Sequence, residues 1–94
     1  MRLKKFEKES IVNAVKHEDP DATIYLFGSR VDDNQSGGDI DILVCSSTID
    51  FDGKLRIKKQ IFESLEEQKI DLIIVDDPFE PFAQIALEKG VKLE

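Results

Sequence analysis

Apolar and polar positions along the chain switch between helical and strand periods. Over residues 3–16, Leu3, Phe6, Ile11, Ala14 and Val15 share one broad face and Lys4, Lys8 and Lys16 lie elsewhere, which predicts an amphipathic helix. Asp19-Pro20-Asp21 stops it. Residues 22–27, ATIYLF, are β-branched, aromatic and nearly all apolar, the pattern of a strand. Gly28-Ser29 breaks that strand, and residues 30–38, RVDDNQSGG, read as a turn or one short helical turn. Residues 39–45, DIDILVC, are a second strand, and Ser46 to Asp50 form a loop with candidate helix caps. A second helix follows over residues 52–67, with Leu55, Ile61, Phe62 and Leu65 as its apolar side. Residues 70–75, IDLIIV, are a third strand, and Asp76-Asp77-Pro78 turns the chain. Pro81 suits the first turn of a third helix over roughly 80–89, which Gly90 ends. Val91 to Leu93 add a short edge strand.

The order α-β-β-α-β-α predicts an α/β (α+β) fold. Its second helix crosses between strands two and three, which are then parallel. Both strands are nearly continuous apolar runs, as expected where the two faces of a sheet are covered. A chain of 94 residues holds one modest core, so residues 1–94 are expected to form a single domain. No apolar run approaches the ~18 residues of a membrane span. The start, MRLKKFEKES, has no apolar signal core, which makes the cytoplasm the expected location. One cysteine, Cys45, excludes an internal disulfide framework.

Charge changes the picture more than composition does. The net charge is −7, against a non-specific DNA binder, which needs a basic footprint. The acids are concentrated: residues 18–52 carry nine of them and one base, Arg30. Such a stretch is either a solvated surface or a site for cations.

Three features within it carry chemistry. Asp39 and Asp41 are i and i+2 on a strand, so their side chains share a face. Adjacent carboxylates raise each other's cost of ionisation unless a cation sits between them. Oxygen ligands, few in number, suit Mg²⁺, which takes one or two carboxylates plus water and phosphate oxygens. Asp71, one residue into the third strand, can join them if strands two and three are neighbours. Gly28-Ser29 ends a buried strand, where glycine admits a close ligand and the following N–H groups can cradle a phosphate. Taken singly, each has an ordinary reading: solvated strand-end acids and a plain turn. Arg30 could contact a phosphate or neutralise Asp32 or Asp33.

Together they are more specific. Gly28-Ser29-Arg30, nine residues from Ser29 to Asp39, Gly38-Asp39-Ile40-Asp41, a helix, then Asp71 within IDLIIV resemble the nucleotidyltransferase superfamily of DNA polymerase β and kanamycin nucleotidyltransferase. Within it the chain resembles the minimal, single-domain (MNT) proteins over essentially its whole length. The resemblance implies a nucleotidyltransferase fold with a small mixed sheet flanked by helices. It implies two Mg²⁺ ions on Asp39, Asp41 and Asp71, with Asp71 helping to take the acceptor's proton. Gly28 and Ser29, joined by Arg30, would bind the phosphates of ATP. The sequence departs from many members in following GSR with Val31-Asp32-Asp33 rather than an Ala-Arg-Gly stretch, one positive charge fewer near the phosphates.

Larger members carry a helical domain that shapes the acceptor site, and minimal members are paired with a small helical HEPN protein, often as antitoxin to toxin. The resemblance therefore implies transfer of AMP to a tyrosine of a HEPN-type partner. Two alternatives stay open: a catalytic subunit with a small-molecule acceptor, and an antitoxin that neutralises by contact alone. The other conspicuous residues read as ordinary. His17 belongs to a helix end or surface, Cys45 and Tyr25 to the core, and Phe51, Phe62, Phe79 and Phe82 to packing rather than an adenine-stacking box.

Overall fold

The computed structural model describes residues 4–27, 40–65, 70–76, 84, 88 and 90–93. The elements are α1 (Lys5–Glu18), β1 (Thr23–Phe27), β2 (Ile40–Cys45), α2 (Phe51–Leu65), β3 (Ile70–Val75) and β4 (Val91–Lys92). Gln84 and Glu88 are helical, and the remainder of the third predicted helix lies outside the described residues.

Local chemistry sets the helix ends. The Lys4 backbone N–H donates to Glu7 Oε1 at 2.8 Å, satisfying a donor that the first turn of α1 leaves unpaired. At the other end Lys16 Nζ donates to the carbonyls of Pro20 and Ala22, at 3.2 and 2.7 Å, where a cation also suits the helix dipole. Asp50 caps α2: its Oδ1 accepts from the Gly53 N–H at 2.7 Å. A second Asp joins α1 to the exit of β2. Asp19, buried, accepts from Ser46 Oγ at 2.6 Å and from the Asp21 N–H at 2.9 Å. Ser46 Oγ in turn accepts from the N–H groups of Thr48 and Ile49, each at 3.2 Å.

The sheet order is β3-β2-β1-β4. β2 runs antiparallel to β1 and parallel to β3, so α2 is the crossover, and the mixed sheet agrees with the expected fold. One face of the sheet meets both helices. Ile24, Leu26, Ile40, Ile42, Val44 and Leu72 pack there against Ile11, Ala14 and Val15 of α1 and Ile57 and Ile61 of α2. On the other face Leu43 is buried among partly buried Tyr25, Phe27, Cys45, Ile73 and Val75.

Three details correct the sequence reading. Phe6, Leu55 and Phe62 were expected on inner faces, yet they are 54%, 49% and 67% exposed. At about 100° per residue Phe6 lies far round α1 from Ile11 and Val15, and Leu55 and Phe62 far round α2 from Ile57. Glu7 takes the inner position instead, its carboxylate kept satisfied by the cap. Phe51 does not pack either, being 70% exposed. β3 is an edge strand with only Leu72 buried, less covered than its apolar run suggests. His17 is exposed in the last turn of α1, as expected, while Cys45 and Tyr25 are only partly buried.

Candidate active site

The parallel register of β2 and β3 pairs Asp41 with Asp71. Each is the second residue of its strand, so both stand at the same end of the sheet. Strand alternation puts both on the face that carries Leu43 and Ile73, away from α1 and α2. Residues paired across neighbouring strands lie about 4.8 Å apart. Phe27, the last residue of β1, pairs with Asp41 on the other side. The row is therefore Asp71, Asp41, Phe27, with Ile73, Leu43 and Tyr25 in the next row.

This geometry has an electrostatic consequence. Asp41 is half-buried, flanked by strands on both sides, whereas Asp71 is exposed on the edge strand. Like charges directly opposite one another in a sheet are destabilising. A divalent cation shared by the two carboxylates reverses that sign, and hard oxygen donors leaving room for water and phosphate fit Mg²⁺. The described residues thus place two carboxylates, oxygen donors of a suitable kind, on one face. They hold no group of three metal-capable side chains. Gly28, Ser29, Arg30 and Asp39 lie outside the described residues. Phe27 and Ile40, the described residues on either side of that segment, stand at this end of the sheet.

Asp19, Glu18 and Cys45 are shifted by their hydrogen bonds and packing within the fold. The Ser46 hydroxyl, then the Asp21 N–H, hold the Asp19 carboxyl below its usual range. Arg56 does the same for Glu18 through a two-pronged ion pair at 2.8 and 2.9 Å. Burial pushes the Cys45 thiol up, which keeps it protonated and a poor nucleophile. An open groove of about 380 Å³, lined in part by Ser46, Ile74 and Asp76, sits at the opposite end of β2 and β3. Sequence reasoning missed Phe27 as a wall of the site; its place as the last residue before Gly28-Ser29 was the available signal.

Comparison with known proteins agrees with the fold. A toxin–antitoxin complex with AMP-PNP shares 23% identity at a TM-score of 0.74, covering 93% of this chain and 72% of that one. A MntA–HpeT toxin–antitoxin complex in which two aspartates are replaced by glutamates shares 20% identity at a TM-score of 0.72, over 93% and 71% of the two chains. A tri-AMPylated Shewanella oneidensis HEPN toxin in complex with MNT antitoxin gives 22%, 0.69, 94% and 69%. No curated protein matches the chain in sequence. Residues 9–93, nearly the whole chain, match the family described as Polymerase beta, Nucleotidyltransferase. With its paired strand-end aspartates beside the end of β1, this chain belongs to the polymerase β nucleotidyltransferase family.

Proposed function

We propose that the chain is a single-domain, Mg²⁺-dependent nucleotidyltransferase that moves AMP from ATP to a tyrosine hydroxyl of a small helical HEPN-type toxin, acting as its antitoxin in the cytoplasm. The observation that carries this reading is the pairing of Asp41 with Asp71 at one strand end. Two relatives in fold add support: one is held with AMP-PNP, and another sits with an AMPylated HEPN toxin. Among the described residues no helix is long and apolar enough to cross a membrane.

In this reading Asp39, Asp41 and Asp71 hold the cations. When bound, these neutralise the triphosphate and stabilise the charge that develops on the leaving pyrophosphate. Gly28 and Ser29 present N–H and O–H donors to the outgoing phosphates, and Arg30 adds a positive charge. Phe27 and Leu43 give the site an apolar floor, which strengthens each electrostatic contact above it. The acceptor oxygen attacks the α-phosphorus in line as the bond to the β-phosphate's bridging oxygen breaks. Asp71, exposed at the sheet edge, takes the hydroxyl proton. Most of the acceleration then comes from positioning and charge neutralisation.

The test is incubation of the chain with a helical HEPN partner, Mg²⁺ and each labelled nucleoside triphosphate in turn, followed by intact-mass spectrometry. AMP-sized additions on the partner, absent with Asp39→Asn/Asp41→Asn, are expected. Labelling of a small molecule in place of the partner would move the acceptor class. Full protection of cells by the double variant would mean that contact alone neutralises the toxin.

A further inference from the structure

β4 brings a charged side chain to the face of the sheet that carries the acid pair. Leu93, just past β4, is buried in the core with Ile24 and Leu26, and its N–H donates to the Ile24 carbonyl at 2.7 Å. That contact fixes which way the strand faces. With Leu93 turned to the helices, alternation turns Lys92 to the other face, where Tyr25 is its register partner. Tyr25 pairs in turn with Leu43, and Leu43 with Ile73. Ile73, Leu43, Tyr25 and Lys92 thus form one row across the sheet, next to the row of Asp71, Asp41 and Phe27. Lys92 is exposed, and it is the one cation among the described strand residues.

Its distance from the acids decides what it can meet. Lys92 lies two strands from Asp41 and one row along, so their backbones are about 12 Å apart at about 4.8 Å per strand and 3.4 Å per residue. Both side chains stand off the sheet, which keeps ammonium and carboxylate roughly 10 Å apart. That is too far for an ion pair, and among the described residues no acid pairs with Lys92. It is the gap that a ligand lying across this face would bridge.

The chemistry of the transfer supplies a direction. The attacking oxygen and the leaving pyrophosphate lie on opposite sides of the α-phosphorus. Asp71, which takes the acceptor's proton in the proposed reading, is on the edge strand β3. The line from Asp71 through Asp41 continues over Phe27 toward β4, and the pyrophosphate departs along it. We infer that Lys92 binds the γ-phosphate of the donor triphosphate. This rests on the reading of the chain as a nucleotidyltransferase. The ammonium donates charge-assisted hydrogen bonds to the terminal phosphate oxygens and offsets the repulsion between a polyanion and the acid pair. Contact with the far end of the triphosphate keeps its chain extended across the sheet, in line with an acceptor at the Asp71 edge.

Calorimetry with the full chain and Mg²⁺ measures ATP and ADP in turn. Lys92→Met should weaken ATP at least about tenfold and ADP, which lacks the γ-phosphate, by less than about threefold. Lys92→Arg, which retains the charge, should keep most of the ATP affinity. Both variants should unfold near the parental midpoint, since the position is exposed. Parental ATP affinity in Lys92→Met overturns the inference; the lysine then serves only to blunt an edge strand against further pairing. An equal loss for ATP and ADP overturns it too, as does a loss as large in Lys92→Arg as in Lys92→Met. Labelling of the acceptor separates the inference from the reading beneath it. An acceptor labelled by the parent while Lys92→Met binds ATP as the parent does overturns the role of Lys92 alone. ATP binding that depends on Lys92, with no acceptor ever labelled, overturns the transfer reading alone. A parent that binds no triphosphate overturns both.

Discussion

Asp71→Asn keeps the shape of the side chain and removes one of two facing charges. Asp41 and Asp71 are register partners, which places the carboxylates about 5 Å apart. Asp71 is exposed, so the dielectric of water applies, and the repulsion is about 0.8 kcal/mol. The cation-free Asp71→Asn chain should therefore be more stable than the parent by about that amount, roughly 3–6 °C in Tm. At about 0.5 M salt the Debye length is near 4 Å, and the gain should fall to about a third. Mg²⁺ should act in the opposite sense. At ten times its Kd it stabilises the parent by about 1.4 kcal/mol, and Asp71→Asn should lose most of that increment. Transfer should fall by at least about 100-fold, since the proposed reading gives Asp71 both a cation and the acceptor's proton. Thermal unfolding at low and high salt, with and without Mg²⁺, reads all of the stability terms. A less stable cation-free variant, a gain that salt leaves untouched, or an undiminished Mg²⁺ increment would refute the reasoning, because each requires Asp71 to hold the fold rather than a cation.

In the proposed reading Gly28 approaches the phosphates, so Gly28→Val should damage triphosphate binding, read by calorimetry, more than it lowers the unfolding midpoint; parental affinity would contradict the assignment. Ser46→Ala should lower Tm at neutral pH by stranding the buried Asp19 carboxylate and the Thr48 and Ile49 N–H groups. Because Asp19 titrates below its ordinary value in the folded chain, its contribution is full above that value and is lost as pH falls through the folded one. The Tm gap between Ser46→Ala and the parent should therefore narrow in acid, which a pH series of melts checks. Ile61→Ala should cost about 3 kcal/mol in urea unfolding, a large share of the roughly 5–14 kcal/mol expected for this length, whereas Phe62→Ala one residue on should cost almost nothing.

Strand periods and turn residues are local signals, and they were enough for much of the chain. The run IDLIIV marked β3 at Ile70–Val75 with no shift of its ends, and Val91 marked the start of β4. Asp50 was legible as a cap and Asp19-Pro20-Asp21 as a stop, because both act on backbone groups within a turn of themselves. The motif from Gly28 to Asp41, with Asp71 beyond it, pointed to the family for the same reason: its spacing is written along the chain. Sequence could not say which of two apolar sides of α2 turns inward. Phe51 and Phe62 are bulkier than Ile57 and Ile61 and Leu55 is their equal in size, so on hydrophobicity alone they compete for the core. The sheet decides, since the space between α1, β1 and β2 accepts the branched pair beside Gly53 and leaves the phenylalanines in solvent. The same holds for Glu7 displacing Phe6, where a carboxylate is buried only because the helix start supplies its donor. That Asp41 stands beside Asp71 is likewise a matter of register between strands 30 positions apart in the chain, and register follows from burying Ile40, Ile42 and Leu72 on one face together.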